Sequence, residues 1–132
     1  MFGQSPVKRY QREMMAVVVS ALNRCEYCKR HHGAALNAYW KDEFKVDLFG
    51  KFQWESLNLS VIDLALCDFA RHVTETPAEV SRQQIDRLRD QGLEDRAILD
   101  AVLVVAYFNF VNRLVLSLGL QIDDAEIGGY RY

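Results

Sequence analysis

The apolar and polar positions along the chain fall into five helical stretches. Ser5 and Pro6 have the chemistry of an N-cap followed by proline at the first helical position, and an apolar-rich segment runs from there to about Asn23, predicting a first helix. Within it Glu13 stands directly before Met14, Met15, Ala16, Val17, Val18 and Val19, so a carboxylate sits at the edge of a segment expected to be buried and needs a partner. A break near Asn23 and Arg24 lets a second helix, Cys25 to about Lys41, return alongside the first.

From Asp42 to Ser56 the pattern weakens into a short helix or irregular loop, because Val46, Leu48, Phe49, Phe52 and Trp54 are interrupted by Gly50 and several charges. Helical spacing resumes from Leu57 to about Val73 and stops at Thr76-Pro77. Ser81 and Gln84 match a capping box for a short helix that ends at Gly92. A last helix runs from about Glu94 to Leu118, closed by Gly119, with apolar residues on almost every face. In a soluble protein such a helix is buried on all sides, by its own domain or by other subunits, so a homo-oligomer is expected. Leu120 to Tyr132 reads as an arm or disordered tail. The fold class is all-α, one domain over residues 1 to 132.

Composition narrows the classes of function. At 132 residues and 50% hydrophobic the chain can build a real core without disulfide staples. A formal net charge of -2 gives no reason to expect nucleic acid or an anionic membrane as partner. The longest uninterrupted apolar run, Ala101 to Phe108, is far short of the roughly 20 residues a membrane span needs. The three cysteines do not form the even, dispersed set of a small secreted protein and no secretory leader pattern is visible, which points to a reducing, cytoplasmic setting.

Chemistry concentrates in Asn23 to His32, which holds two of three cysteines and two of three histidines. On a helix, about 100° of rotation per residue puts Cys25, Cys28 and His32 within roughly 60° on one face. Cysteines three apart have Cβ atoms about 5–6 Å apart, and slight relaxation at a first turn allows a reversible disulfide. Glu13 and Cys25 are 12 positions apart, about 18 Å on a straight helix, so only a helix hairpin can carry His32 towards Glu13. In that hairpin Glu13 and His32 form one proton-handling unit.

Each of these residues also has a plainer reading. Cys25, Cys28 and His32 could hold structural zinc completed by His31, Cys67 or His72, but the second ligand pair usual in zinc motifs is missing, so no metal is expected. Glu13 could be a solvated charge. His31 is read as a surface or interface histidine ahead of a second base, Cys67 as a buried inert thiol, and Tyr39 as core. Asn109 and Asn112 are assigned to structural subunit contacts ahead of lining the site.

The pattern E-x11-C-x2-C-x3-H, with a hydrophobic helix before it and Gly33-Ala34-Ala35-Leu36 after it, resembles the alkylhydroperoxidase D branch of the carboxymuconolactone decarboxylase superfamily. The peroxidase-related sub-branch is the nearest, on Cys25-Glu26-Tyr27-Cys28, on His31-His32-Gly33-Ala34-Ala35, and on the late-helix stretch from Ala101 to Arg113. The resemblance covers about Ser5 to Gly119. It implies an all-α bundle assembled as trimers or hexamers, and thiol peroxidase or disulfide reductase chemistry without metal, haem or other cofactor. Glu13 and His32 match its proton-relay carboxylate and imidazole, Cys25 and Cys28 its redox pair. Two features depart from it: Tyr27 stands where the best-known members have a histidine, and relatives tend to carry extra helical sequence before the segment starting at Met1, which points to a shortened or minimal form. The decarboxylases lack the cysteine pair.

The expected function is therefore a peroxidase that reduces a hydroperoxide and is recycled by an external thiol or dithiol. The alternatives are a disulfide reductase serving another peroxidase, or an oligomeric redox sensor. Between the cysteines, a helix terminus favours Cys25 by about 0.3–1 kcal/mol, whereas a base at i+4, His32, favours Cys28 by a typical rate factor of about 10²–10⁴. Cys28 is thus expected to attack and Cys25, nearer solvent, to resolve and to be the sulfur first attacked by the reductant. The family resemblance supports the same order.

Overall fold

The computed structural model describes residues 3–127, and among them every regular element is a helix. The order is α1 (Arg9–Leu22), α2 (Glu26–Trp40), α3 (Glu43–Gly50), a 3₁₀ turn at Trp54–Leu57, α4 (Val61–Glu75), a second 3₁₀ turn at Pro77–Glu79, α5 (Arg82–Asp90), α6 (Asp95–Leu118) and α7 (Asp124–Ile127).

The helix at the centre is α1. Gln11 through Ser20 are all buried, because α2, α4 and α6 pack around it. Its buried polar groups are matched in turn: Gln11 Nε2 donates to Asp63 Oδ1 at 2.8 Å, and the Tyr10 hydroxyl donates to the same carboxylate, tying α1 to α4. The helix starts at Arg9, later than Ser5 and Pro6 predict, since the Ser5 hydroxyl is used elsewhere. It accepts from the Val7 N–H and donates to Asp100 of α6, forming a local turn in place of a cap. Lys8 N–H is then covered by the Gln11 side chain at 3.0 Å.

Several boundaries follow the sequence closely. Ser81 and Gln84 exchange the two hydrogen bonds of a capping box at the start of α5, and Gly92 and Gly119, both at positive φ, stop α5 and α6. The weak segment from Asp42 resolves into α3, capped by the Asp42 carboxylate on the Lys45 N–H, followed by the 3₁₀ turn. Phe49 on α3 is fully buried between Trp40, met edge-on at 5.3 Å, and Trp54, stacked at 5.8 Å. The Trp54 indole N–H donates to the Phe49 carbonyl, so the aromatic group is held by backbone as well as by contact.

Within the single chain the last helix is covered on one side and open on the other. Ala97, Ile98, Ala101, Val104, Val105 and Phe108 face α1 and α4, while Leu99, Leu103, Tyr107, Phe110, Leu114 and Leu118 are about half or more exposed. These exposed positions recur every three or four residues and make one apolar stripe. Within the chain α1 is the helix buried on every side, because three others enclose it, whereas α6 lies at the edge of the bundle. α6 is also long and apolar enough, by length and hydropathy, to cross a membrane, which counting only uninterrupted apolar residues misses. Its packing against α1 and α4 gives it instead the position of a bundle helix.

The segment read as an arm returns to the bundle as far as it is described. Residues 124–127 form α7 against α2, where Arg30 pairs with Asp124 at 2.6 Å. The remainder of that segment, 128–132, and residues 1–2 lie outside the described residues.

Phe49→Ala should destabilise the protein by about 3–5 kcal/mol, the usual cost of emptying a buried aromatic site. Urea unfolding followed by tryptophan fluorescence checks this; a loss below about 1 kcal/mol would mean that α3 contributes little to the core.

Candidate active site

The turn between α1 and α2 builds the site. After Leu22, Asn23 keeps a helical conformation and Arg24 takes φ 55°, reversing the chain within three residues. Cys25 becomes the N-cap of α2: its N–H donates to the Ser20 carbonyl at 2.9 Å and its carbonyl accepts from Lys29 N–H at 2.8 Å. This sets an antiparallel register in which Ser20 stands opposite Cys25 and Glu13 opposite His32.

The carboxylate and imidazole meet as the hairpin requires. Glu13 is 1% exposed, so it is no solvated charge. Its Oε2 lies 2.8 Å from His32 Nδ1, and its Oε1 accepts from the Arg9 guanidinium at 2.8 Å. In the tautomer whose Nδ1–H donates to the Glu13 carboxylate, Nε2 is the nitrogen left to accept a proton. Phe108 of α6 meets the ring edge-on at 4.5 Å and fixes its plane.

Cys25 and Cys28 are both free thiols and pack with Val115, Val111 and Tyr27. Sequence reasoning expects Cys25 to be nearer solvent, and the structure corrects this: Cys25 is 1% exposed and Cys28 3%. The N-cap position that should have exposed Cys25 is covered by the last turn of α6. A recess of about 380 Å³ nevertheless has Cys25 in its wall, with Val115, Leu116, Leu120 and Ile122 as apolar lining and Arg24 among its polar residues.

Burial pushes the Cys28 thiol up to about 12; the Cys28 S–H also donates to Cys25, whose charge opposes a second one, while a hydrogen bond from Asn112 acts in the opposite direction. The pair therefore holds at most one negative charge near neutrality, and Cys28 is protonated at rest.

The remaining candidates fall in different places. His31 is buried, not at the surface, with the Tyr27 ring packed on it at a tilt of 40° and a centroid distance of 4.4 Å; burial lowers its pKa, His32 adds to that, and Glu126 of α7 opposes it. Cys67 is fully buried in α4, and burial raises its thiol well above the usual range, as expected of an inert core cysteine. Tyr39 is 43% exposed, contrary to a core role. The register that pairs His32 with Glu13 carries Tyr39 past Arg9, the first residue of α1, so no helix lies beneath it. Among the described residues no group of three or more His, Cys, Asp or Glu is placed to hold a metal ion.

Asn112 and Asn109 both hydrogen-bond within the protein, to the last turn of α1 and the turn after it. Asn112 is fully buried, donating to Ser20 Oγ at 3.2 Å and accepting from Asn23 Nδ2 at 3.1 Å; the same Asn23 amide donates to Asn109 Oδ1 at 3.0 Å. Their signal in the sequence was two amides inside an apolar helix, and Asn23 in the turn was overlooked.

With the geometry in place, the chain can be set beside known proteins. An uncharacterized peroxidase-related protein from Silicibacter sp. has the same fold with a TM-score of 0.90 and 31% identity, covering 97% of this chain and 66% of that one. A second, an uncharacterized peroxidase-related protein from Ralstonia eutropha with an alkylhydroperoxidase AhpD core, gives a TM-score of 0.88 at 28% identity over 96% of this chain and 66% of its own. The chain belongs with the alkylhydroperoxidase D-like, peroxidase-related proteins. It spans about two thirds of the length of both structures. The uncharacterized protein YdfG of Bacillus subtilis is 25% identical over 118 residues, 88% of this chain and 78% of that protein. The debrominase Bmp8, at 22% identity and a TM-score of 0.75, covering 90% of this chain and 63% of that one, shares the fold alone. No family model matches the chain.

Since a hydrogen bond to Cys25 and its charge both raise the Cys28 thiol, Cys25→Ala in a Cys67→Ser background should let Cys28 ionise at lower pH than about 12. Thiolate absorbance against pH measures it; an unchanged or higher midpoint would show that burial alone sets the value.

Proposed function

We propose that this protein is a thiol-dependent peroxidase in which Cys25 and Cys28 form the redox pair and Glu13 and His32 the proton relay. The observation that supports it most directly is the 2.8 Å contact between His32 Nδ1 and a buried carboxylate, one helical turn from Cys28 on the same face of α2.

The proton of the Cys28 thiol passes to His32 Nε2, and Glu13 stabilises the imidazolium that forms. The thiolate attacks one peroxide oxygen, the O–O bond breaks, and the departing alkoxide takes the proton back from His32 as the alcohol. Cys28 is left as a sulfenic acid. The Cys25 thiol displaces its hydroxyl, giving a Cys25–Cys28 disulfide and water. An external dithiol then reduces the disulfide and leaves oxidised in its turn, with Cys25 the sulfur it meets at the recess.

A thiol held near 12 stays protonated, and hence unreactive, until a base takes its proton. The stronger nucleophilicity of a more basic thiolate, with a Brønsted slope of about 0.4–0.5, does not by itself offset the lost thiolate fraction, so the reading requires His32 as base. The apolar wall of Val115, Leu116, Leu120 and Ile122 suits the organic part of a hydroperoxide or of the reductant. The reading also includes a cytoplasmic setting, no cofactor and a homo-oligomer, for which the stripe from Leu99 to Leu118 supplies an uncovered apolar face.

Two measurements test the proposal. After one equivalent of organic hydroperoxide, Cys25→Ser should accumulate trapped sulfenic acid on Cys28, and adding Glu13→Gln should slow this about 10²–10⁴-fold. A rapid adduct on Cys25 in Cys28→Ser, with Cys25→Ser inert, would reverse the roles of the cysteines. Sedimentation at micromolar concentration should give a trimer or a multiple of it; a stable monomer would remove the assembly.

A further inference from the structure

Beyond α6 the chain crosses the start of α2 and is held at both ends. Gly119, at φ 65°, turns it: its N–H returns to the Leu116 carbonyl and the Leu120 N–H to the Val115 carbonyl, both at 3.2 Å, the paired bonds of a Schellman ending. At the other end Ile127 lies in the cleft between α2 and α3 with Val17, Ala34 and Val46, where a Cβ on Gly33 would already come within 3.3 Å of Val46. Between these ends Asp124 pairs with Arg30 at 2.6 Å, and Glu126 accepts from the Tyr27 hydroxyl at 3.5 Å. Residues 120–127 thus form a strap across the first turns of α2.

The strap supplies one wall of the recess at Cys25, through Leu120, Gln121 and Ile122. Leu120 is about half exposed and Ile122 is partly buried, so Ile122 is the apolar side chain turned inward. Among the described residues the walls of this recess include Cys25 and neither Cys28 nor His32. His32 keeps 24% of its side chain open and stands about 10 Å further along α2 than Cys25. A hydroperoxide has to meet Cys28 beside that base, whereas a molecule seated in the recess meets Cys25. At about 380 Å³ the recess falls within the range of small-molecule sites, about 300–1,000 Å³.

We propose that this recess is the site of the reductant and that Ile122 is a specificity-determining residue, limiting how large a thiol compound reaches the Cys25 sulfur. Asp124 and Ile127 are positioning residues that hold the strap in place. This rests on the peroxidase reading above. One thiolate of the reductant attacks Cys25 Sγ, the Cys25–Cys28 bond breaks and Cys28 leaves as the thiolate. A second thiol of the reductant then displaces Cys25 and closes the reductant's own disulfide, and its two protons end on the protein sulfurs.

The test uses the full chain carrying Cys67→Ser, with the Cys25–Cys28 disulfide formed by diamide. Its reduction is followed with dithiothreitol and with glutathione, each rate taken relative to the same reductant acting on hydroxyethyl disulfide. Ile122→Trp should slow glutathione about tenfold more than dithiothreitol, and Ile122→Ala should shrink the difference between them. Ile127→Asp, which does not line the recess, should shrink it too by freeing the strap. The same ratio of rates in the parent and in all three folded variants would overturn the proposal. With an organic hydroperoxide as oxidant, Ile122→Trp should slow reduction by a larger factor than oxidation; an equal or greater loss in oxidation would assign the recess to the peroxide and overturn it as well. The diamide measurement involves no hydroperoxide. A changed ratio in a protein that fails to reduce hydroperoxides would therefore count against the peroxidase reading and leave the strap standing, and an unchanged ratio in an active peroxidase would do the reverse.

Discussion

A carboxylate buried in the middle of α1 is the constraint on which the arrangement depends. An isolated charge at the position of Glu13 would cost several kcal/mol, and it is tolerated only because both of its oxygens are matched, one by Arg9 on the same helix and the other by His32 on the next. The second partner has to come from a helix running back along α1, so matching Glu13 also selects the register of the hairpin. Once His32 stands opposite Glu13, the tight turn through Asn23 and Arg24 leaves Cys25 beside the Ser20 carbonyl and the cysteine pair beneath α6. Fold and site are therefore set by the same contact.

The electrostatics of the cysteine pair add a second layer. Burial and the neighbouring sulfur hold Cys28 protonated, a condition that protects a cysteine from indiscriminate oxidation. A protonated, buried thiol requires a base to react, and the imidazole one turn along α2, held by Glu13, is the group suited to that part. The two considerations that compete in the sequence, a helix terminus for Cys25 and a base for Cys28, describe different moments of one cycle. In the proposed cycle the attacking sulfur is the one that the base reaches, and the sulfur at the helix terminus resolves it.

The parts of the structure legible in the sequence are those governed by local chemistry. Ser81 with Gln84, Thr76 before Pro77, and the glycines at positions 92 and 119 act within a turn of themselves, so their effects appear where the residues stand. The meeting of Glu13 and His32 was also readable, because helix geometry forbids it without a hairpin. What escaped depended on neighbours distant in sequence. Ser5 bonds Asp100 and so does not cap α1; His31 is covered by Tyr27 and approached by Glu126; Tyr39 overshoots the helix it was expected to pack on. The apolar content of α6 could not tell which of its faces meets α1. Asn112 shows the same limit most clearly, since an amide in an apolar helix announces that it needs partners and says nothing of which ones.

The central claim is that Cys25 and Cys28 reduce a hydroperoxide as a pair, with the charge handled by Glu13 and His32. Stopped-flow mixing of the fully reduced protein with an organic hydroperoxide, with free thiols counted over time and the cross-link mapped, tests it most directly. The account predicts loss of two of the three thiols per chain, as a Cys25–Cys28 disulfide, far faster than free cysteine reacts, with Cys67 untouched. Oxidation no faster than that of free cysteine, or a product that leaves either member of the pair as a thiol, would contradict it.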